Sequence, residues 1–387
     1  MHTFVKTKTM TTEQTQLLEL LRSGLWGTPA DPALFQGQVN WKAILRLAME
    51  QTVQVIVADG IETLPAELYP PKELMFKLMA IRVKTKQLHL QLNSVLIKIT
   101  RALTEAGLPS VLLKGQGLAH NYRLPESRMC GDIDLYVGME NFENACNTIA
   151  SLSPIPQEED LTGNEMHIHL ELDGVTIEAH RKTTSSANKK QDKFIETWTR
   201  EQLDAHFSDS TLPTILFDQT PVCIPSETYN AVFILHHAVR HLVTEGIGLR
   251  QICDWAMFLD KHHDKINEAE LRSTLRKLRM ESVWAEFGIL AVNHLGLDPR
   301  RLPLAPTKLT SKKTELLLHQ IYAGGNFGHY DKDGRNPGEK NIMKRKWRSL
   351  CVQTQIFARI ARIFPSFTLS YILGWYPSAI SRLFRRK

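Results

Sequence analysis

Apolar positions follow a helical period up to about residue 106, an extended one from residue 110 to 180, and a helical one again beyond residue 225. In the first segment, Thr11-Thr12-Glu13-Gln14 supplies cap-type residues ahead of Leu17, Leu18, Leu20 and Leu21, with Gly24 as the expected stop. One or two further helices are expected over 41–63. Pro70-Pro71 then opens a long amphipathic run over 72–106, closed by Gly107 and Pro109.

The middle segment has a different texture. Val111-Leu112-Leu113 reads as a short apolar strand running into Lys114-Gly115-Gln116-Gly117, followed by a short helix over 118–122 and a polar loop over 123–130. A strand over 132–137 and a helix over 140–150 come next. After a Pro-containing loop, two alternating segments, His167–Leu172 and Val175–His180, flank Asp173-Gly174, a strong hairpin signal. This order predicts a small mixed sheet.

Beyond Pro225, Ser226 is the expected N-cap of a helix over 227–243, with more helices at 249–261, 268–278 and 281–295. A Gly-rich polar loop is expected over 324–341 and a last helical region from about Met343. The expected fold is therefore α+β. A mixed-sheet core (108–222) lies between an N-terminal helical region (1–107) and a C-terminal helical domain (223–387) with an amphipathic basic tail.

The candidate chemistry sits in the extended segment. Asp132 and Asp134, two apart on a strand, point to one face, while Ile133 and Leu135 turn to the other. Adjacent carboxylates repel unless a cation lies between them, and oxygen-rich ligation suits Mg²⁺ or Mn²⁺. The competing reading is a solvated strand edge. Lys114-Gly115 lies at a strand end before a helix, where free backbone N–H groups can meet a phosphate. An ordinary glycine turn with a surface lysine is the plain alternative. On the far hairpin arm Thr176, Glu178 and His180 share a face, so Glu178 can complete a three-acid cluster. Its plain alternative is a cross-strand surface pair with a lysine or arginine. His167 and His169 share a strand face, which reads as polar face packing rather than as part of a metal cluster with His180.

The series Leu113-Lys114-Gly115, Arg128, Gly131-Asp132-Ile133-Asp134-Leu135 and Ile177-Glu178-Ala179-His180 resembles the uncharacterised nucleotidyltransferase family of the DNA polymerase β-like superfamily. The likeness extends into His236-His237, His241 and Leu249-Arg250-Gln251-Ile252-Cys253-Asp254-Trp255, so it spans roughly 17–295. It implies that Asp132, Asp134 and Glu178 ligate metal, with Glu178 as ligand or base. It also implies that Lys114, Gly115, Gln116 and Arg128 face a nucleoside triphosphate. Where superfamily members carry Gly-Ser at the phosphate turn, this chain has Gly115-Gln116. Lys114 and backbone amides would do the serine's work. The implied reaction moves a nucleoside monophosphate, with Mg²⁺ or Mn²⁺, to an acceptor hydroxyl or phosphate and releases pyrophosphate. The acceptor stays open among a small molecule, a glycan intermediate, a protein side chain and a tRNA end.

In the helical region, Arg250 and Asp254 are four apart and read most simply as an intrahelical pair. With His180, His237 and Trp255 they are also candidates for an acceptor pocket. Composition adds bounds. An apolar content of 43% with 23% charged residues excludes a disordered chain. Five scattered cysteines fit a reducing cytoplasm and give no zinc or disulfide spacing. The first residues lack the apolar stretch of a secretory signal. The net charge of +6 is compatible with a triphosphate or RNA, but much of it lies near the C-terminus. The uncharged run over 363–381 is expected to pack on the core, with peripheral membrane contact through 363–387 as second reading and a membrane span as third. A non-catalytic scaffold of the same fold and a membrane-peripheral accessory protein are the rival functions.

Overall fold

A computed structural model describes residues 10–153, 166–207, 211–325 and 342–384. The Pro-containing loop, nearly all of the Gly-rich loop and the last three basic residues lie outside the described residues.

The N-terminal part comprises α1 (Thr12–Trp26), α2 (Trp41–Glu50), α3 (Gln54–Ile61) and α4 (Lys72–Glu105). Thr11 and Gln14 close a capping box on α1 as expected. The helix runs through Gly24, however, and ends at Gly27, whose φ of 70° is left-handed. Gly24 serves another purpose. A Cβ there would lie 1.9 Å from the Ile56 carbonyl oxygen, and one at Gly60 would lie 2.0 Å from that of Leu20. Two glycines let α1 and α3 touch backbone to backbone.

The sheet contains β1 (Val111–Leu112), β2 (Asp132–Tyr136), β3 (His167–Leu172) and β4 (Val175–His180), in the order β1-β2-β4-β3. The β2–β4 pairing is parallel and the other two are antiparallel, so the sheet is mixed as the pattern predicts. Asp173 and Gly174 both adopt positive φ, 52° and 75°, which gives the tight turn between β3 and β4. The helix after β1, α5, covers only Gln116–Ala119, earlier and shorter than expected. The helix after β2, α6, is Phe142–Ser151.

Ile133, Leu135, Ile177 and Ala179 are fully buried against Val95, Leu96 and Ile99 of α4 and Phe142, Ala145 and Ile149 of α6. One sheet face is thus a closed apolar layer, which leaves the carboxylates on the other. Two elements gave no sequence pattern: α7 (Lys189–Gln202) and the hairpin of β5 (Thr214–Phe217) and β6 (Thr220–Cys223). The turn of that hairpin is Asp218-Gln219, with φ of 43° and 63°, and lacks the glycine that marks such turns.

The C-terminal part comprises α8 (Glu227–Thr244), α9 (Leu249–His262), α10 (Glu268–Lys277), α11 (Glu281–Leu295), α12 (Lys312–Gly324), α13 (Ile342–Ala361) and α14 (Pro365–Phe384). Ser226 stands at the N-cap of α8, yet its hydroxyl donates to Gln202 Oε1 at 3.2 Å and caps nothing. No described helix is long and apolar enough to cross a membrane. On α14, Phe367, Thr368 and Tyr371 are buried while Leu369, Leu373 and Ile380 are exposed. A single core unites α1 to α3 with α8, α9 and α11, and reaches Phe357 and Phe364 near the end of the chain.

Candidate active site

The parallel register places Asp134 directly opposite Glu178 and Asp132 opposite Thr176. Lys114 leaves the end of β1 beside them. There Leu113 N–H donates to the Asp134 carbonyl at 3.0 Å, and the chain turns at Gly115 with φ of 56°. Lys114 Nζ lies 2.8 Å from Asp134 Oδ1 and 3.2 Å from His237 Nε2 on α8. His180 Nε2 lies 3.1 Å from Asp134 Oδ1 and 3.2 Å from Glu178 Oε2. Asp134, Glu178, His180 and Lys114 therefore form one contiguous polar cluster. The sheet supplies three of them and the β1 turn the fourth.

The electrostatics follow from this crowding. Burial opposes ionisation of Asp134, but Lys114 and His180 hold its carboxyl well below the usual range. Glu178 is lowered as well, burial being outweighed by the hydrogen bond from His180. His180 in turn is raised: burial works against its charge, and the two carboxylates overcome it. Asp132 goes the other way. Burial, then the neighbouring Asp134 charge, lift its carboxyl pKa above the ordinary value, with Lys114 opposing and Glu178 adding to the rise. One acid is left short of positive charge. That deficit, beside two further carboxylates, fits a divalent cation ligated by oxygen.

Above the acids lies a cleft of about 300 Å³, lined by Thr52, Lys114, Gly115, Asp132, Asp134 and Arg250 among others. Arg250 Nη1 donates to the Met129 carbonyl at 3.1 Å, and its buried Nε has no hydrogen-bond partner. The expected Arg250–Asp254 intrahelical pair does not form. Asp254 instead takes a bidentate bond from Arg128, with Nε and Nη2 each at 2.8 Å, and a third from Tyr122 OH at 2.7 Å. Arg128 Nη1 meets Cys130 Sγ at 3.0 Å. A charge-assisted fork buried on both sides outcompetes a pair along one helix.

Arg128 thus lines the cleft with its guanidinium already engaged. Gln116 is buried off the cleft, and neither side-chain amide atom has a partner. With only four residues, α5 carries little macrodipole, so the positive charge at the turn is that of Lys114. His237 is half-buried at the cleft wall and is held neutral by burial and then by Lys114. His167 and His169 meet each other, Nε2 to Nε2, at 3.2 Å, and their register partners are His180 and Glu178. Polar contact between the two is borne out. Their cross-strand partners are acid and imidazole, with no lysine or arginine. Gln251, inside the family-like stretch 249–255, also lines the cleft, as does Thr52, which no pattern in the sequence marks.

Residues 37–296 match the family described as "Uncharacterised nucleotidyltransferase". The chain belongs to this uncharacterised nucleotidyltransferase family. The match includes α2 to α11, and with them the whole sheet and the cleft-lining residues of α5, α8 and α9. No curated protein and no solved structure matches the chain. Membership supports nucleotidyl transfer as the general chemistry.

Proposed function

We propose that the protein transfers a nucleoside monophosphate from a nucleoside triphosphate to an acceptor hydroxyl or phosphate at the Asp132–Asp134–Glu178 face. The observation that carries this reading is the parallel register. It sets Glu178 opposite Asp134 on the sheet face that also bears Asp132, beneath a cleft walled by Lys114 and Arg250. Asp132, Asp134 and Glu178 would hold Mg²⁺ or Mn²⁺, which supplies charge neutralisation for the triphosphate. Lys114 would turn from Asp134 to the phosphates, a swing of the kind a flexible ammonium makes readily. Arg250, whose Nε is unpaired, would take a second phosphate oxygen. Glu178 and His180 would accept or relay the proton of the attacking hydroxyl. Arg128 would act through Asp254 and Tyr122 by holding the cleft wall in place.

The test is thermal stability with Mg²⁺ and each triphosphate in turn, followed by pyrophosphate release with the triphosphate that stabilises. Stabilisation by at least one triphosphate, absent in Asp132→Asn and Asp134→Asn, is the expected result. No response to any triphosphate would sink the reading.

A further inference from the structure

On the β3–β4 hairpin beside Asp134 lies a second donor set of different composition. His167 Nε2 lies 3.2 Å from His169 Nε2 and 3.9 Å from Glu178 Oε2. His169 Nε2 lies 3.8 Å from Glu178 Oε1, and His180 Nε2 lies 3.2 Å from Glu178 Oε2. Ligand atoms of His167, Glu178 and His180 all fall within 4.8 Å of one another. Around a four-coordinate ion with bonds of about 2.0–2.2 Å, neighbouring ligand atoms stand roughly 3.3–3.6 Å apart. His167, Glu178 and His180 therefore already gather as a ligand set, and His169 adjoins it at the rim. They come together through the β3–β4 pairing, which sets His167 against His180 and His169 against Glu178.

Access differs from ligand to ligand. The His180 side chain is 4% exposed, those of His167 and Glu178 are half-buried, and that of His169 is 60% exposed. An ion can enter at the rim and be held from beneath.

We infer that His167, His169, Glu178 and His180 bind a borderline divalent transition-metal cation such as Zn²⁺ or Co²⁺. Imidazole nitrogen favours such ions, whereas Mg²⁺ demands oxygen and keeps its waters. The sheet face would then carry two cation sites of unlike preference, a carboxylate site at Asp132 and Asp134 and an imidazole site at the hairpin, joined by Glu178. The inference extends the proposed transfer site, with which it shares Glu178 and His180, but its test reads metal binding alone.

Tag-free full-length protein is titrated with Co²⁺ while visible d–d absorption is recorded. One equivalent should bind with bands characteristic of nitrogen ligation. His167→Ala/His169→Ala should weaken binding at least about tenfold, the low end for loss of even an outer-shell partner. Circular dichroism should stay unchanged, because both side chains reach the surface. Asp132→Asn should keep the bands. Should the double variant spoil the hairpin, His169→Ala alone, at the most exposed position, must still weaken binding and shift the spectrum. Three results would each overturn the inference: no Co²⁺ bands in the wild type, bands unaltered in folded histidine variants, or bands lost in Asp132→Asn but not in the histidine variants. Failure here leaves the response to Mg²⁺ and triphosphate untouched, so the two readings fall separately.

Discussion

Asp132 and Asp134 stand two residues apart on one strand, yet their carboxyl groups are perturbed in opposite directions. Lys114 and His180 both contact Asp134, and they hold its charge in place despite burial. Burial and the Asp134 charge raise Asp132, which lacks such contacts. A strand that buries its acids this way stores electrostatic cost in the apo protein, as functional sites often do.

That asymmetry makes two similar substitutions behave differently. Asp132→Asn removes an unfavourable charge near neutral pH, so the apo protein should melt about 1–2 °C higher, the shift expected for under 1 kcal/mol in a chain of this size. Asp134→Asn removes the partner of Lys114 and His180 and should melt lower. Both should lose the response to Mg²⁺ with triphosphate, and transfer should fall about 10²- to 10³-fold or more. Differential scanning fluorimetry with and without ligand separates these effects. Equal apo shifts would show that the asymmetry has no energetic weight.

The Arg128–Asp254 fork predicts a large structural penalty. Both residues are almost wholly buried, at 3% and 4% exposure. Asp254→Ala would strand the guanidinium and leave Tyr122 OH without its acceptor, at a cost of about 3–5 kcal/mol. The doubly apolar Arg128→Met/Asp254→Leu should recover much of that loss, since replacing a buried pair whole is often close to neutral. Urea unfolding of the two variants measures the difference. A double variant no more stable than Asp254→Ala would contradict it.

The site was more legible in the sequence than its surroundings. Period-two alternation at Asp132–Asp134 and around Asp173-Gly174 fixes which side chains share a face, whereas the β2–β4 register that sets Glu178 opposite Asp134 appears only in the folded sheet. Asp254 shows where that logic stops. Spacing along a helix offers Arg250 as its partner, but Arg128, far away in sequence, meets it in three dimensions with better geometry. Gly24 fails for a related reason, because a glycine that permits close approach looks the same in sequence as one that ends a helix. The β5–β6 turn was hidden because Asp218 and Gln219 adopt left-handed backbone without the usual glycine.

The close approach at Gly24 and Gly60 can be tested directly. Alanine at either position would drive a Cβ into a carbonyl oxygen at about half a normal contact distance, 1.9 Å or 2.0 Å. Backbone cannot yield as a side-chain tip can, so each substitution should cost about 2–3 kcal/mol. Gly131→Ala is the contrast, since nothing lies within 4 Å of its built Cβ, and its effect on stability should stay within about 0.5 kcal/mol. Equal thermal shifts for Gly24→Ala and Gly131→Ala would show that α1 and α3 separate at little cost.

His236 predicts the acid side of the stability profile. It is buried on α8, its Nδ1 is 3.1 Å from Thr184 Oγ1, and burial with the nearby Arg240 charge pushes its pKa down to about 3. The unfolded chain binds a proton on this imidazole near pH 6.5, whereas the folded chain does not until near pH 3. The stabilising contribution is thus complete above pH 6.5. It falls away as pH drops through that window, at up to about 1.4 kcal/mol per pH unit, and reaches about 2 kcal/mol lost at pH 5. Asn places an amide near Nδ1 and does not titrate. His236→Asn should therefore be less stable than wild type at pH 7.5 but lose less on going to pH 5, when unfolding free energies are measured in urea at both values. Parallel losses in the two proteins would show that His236 takes up a proton without unfolding, against the burial that defines it here.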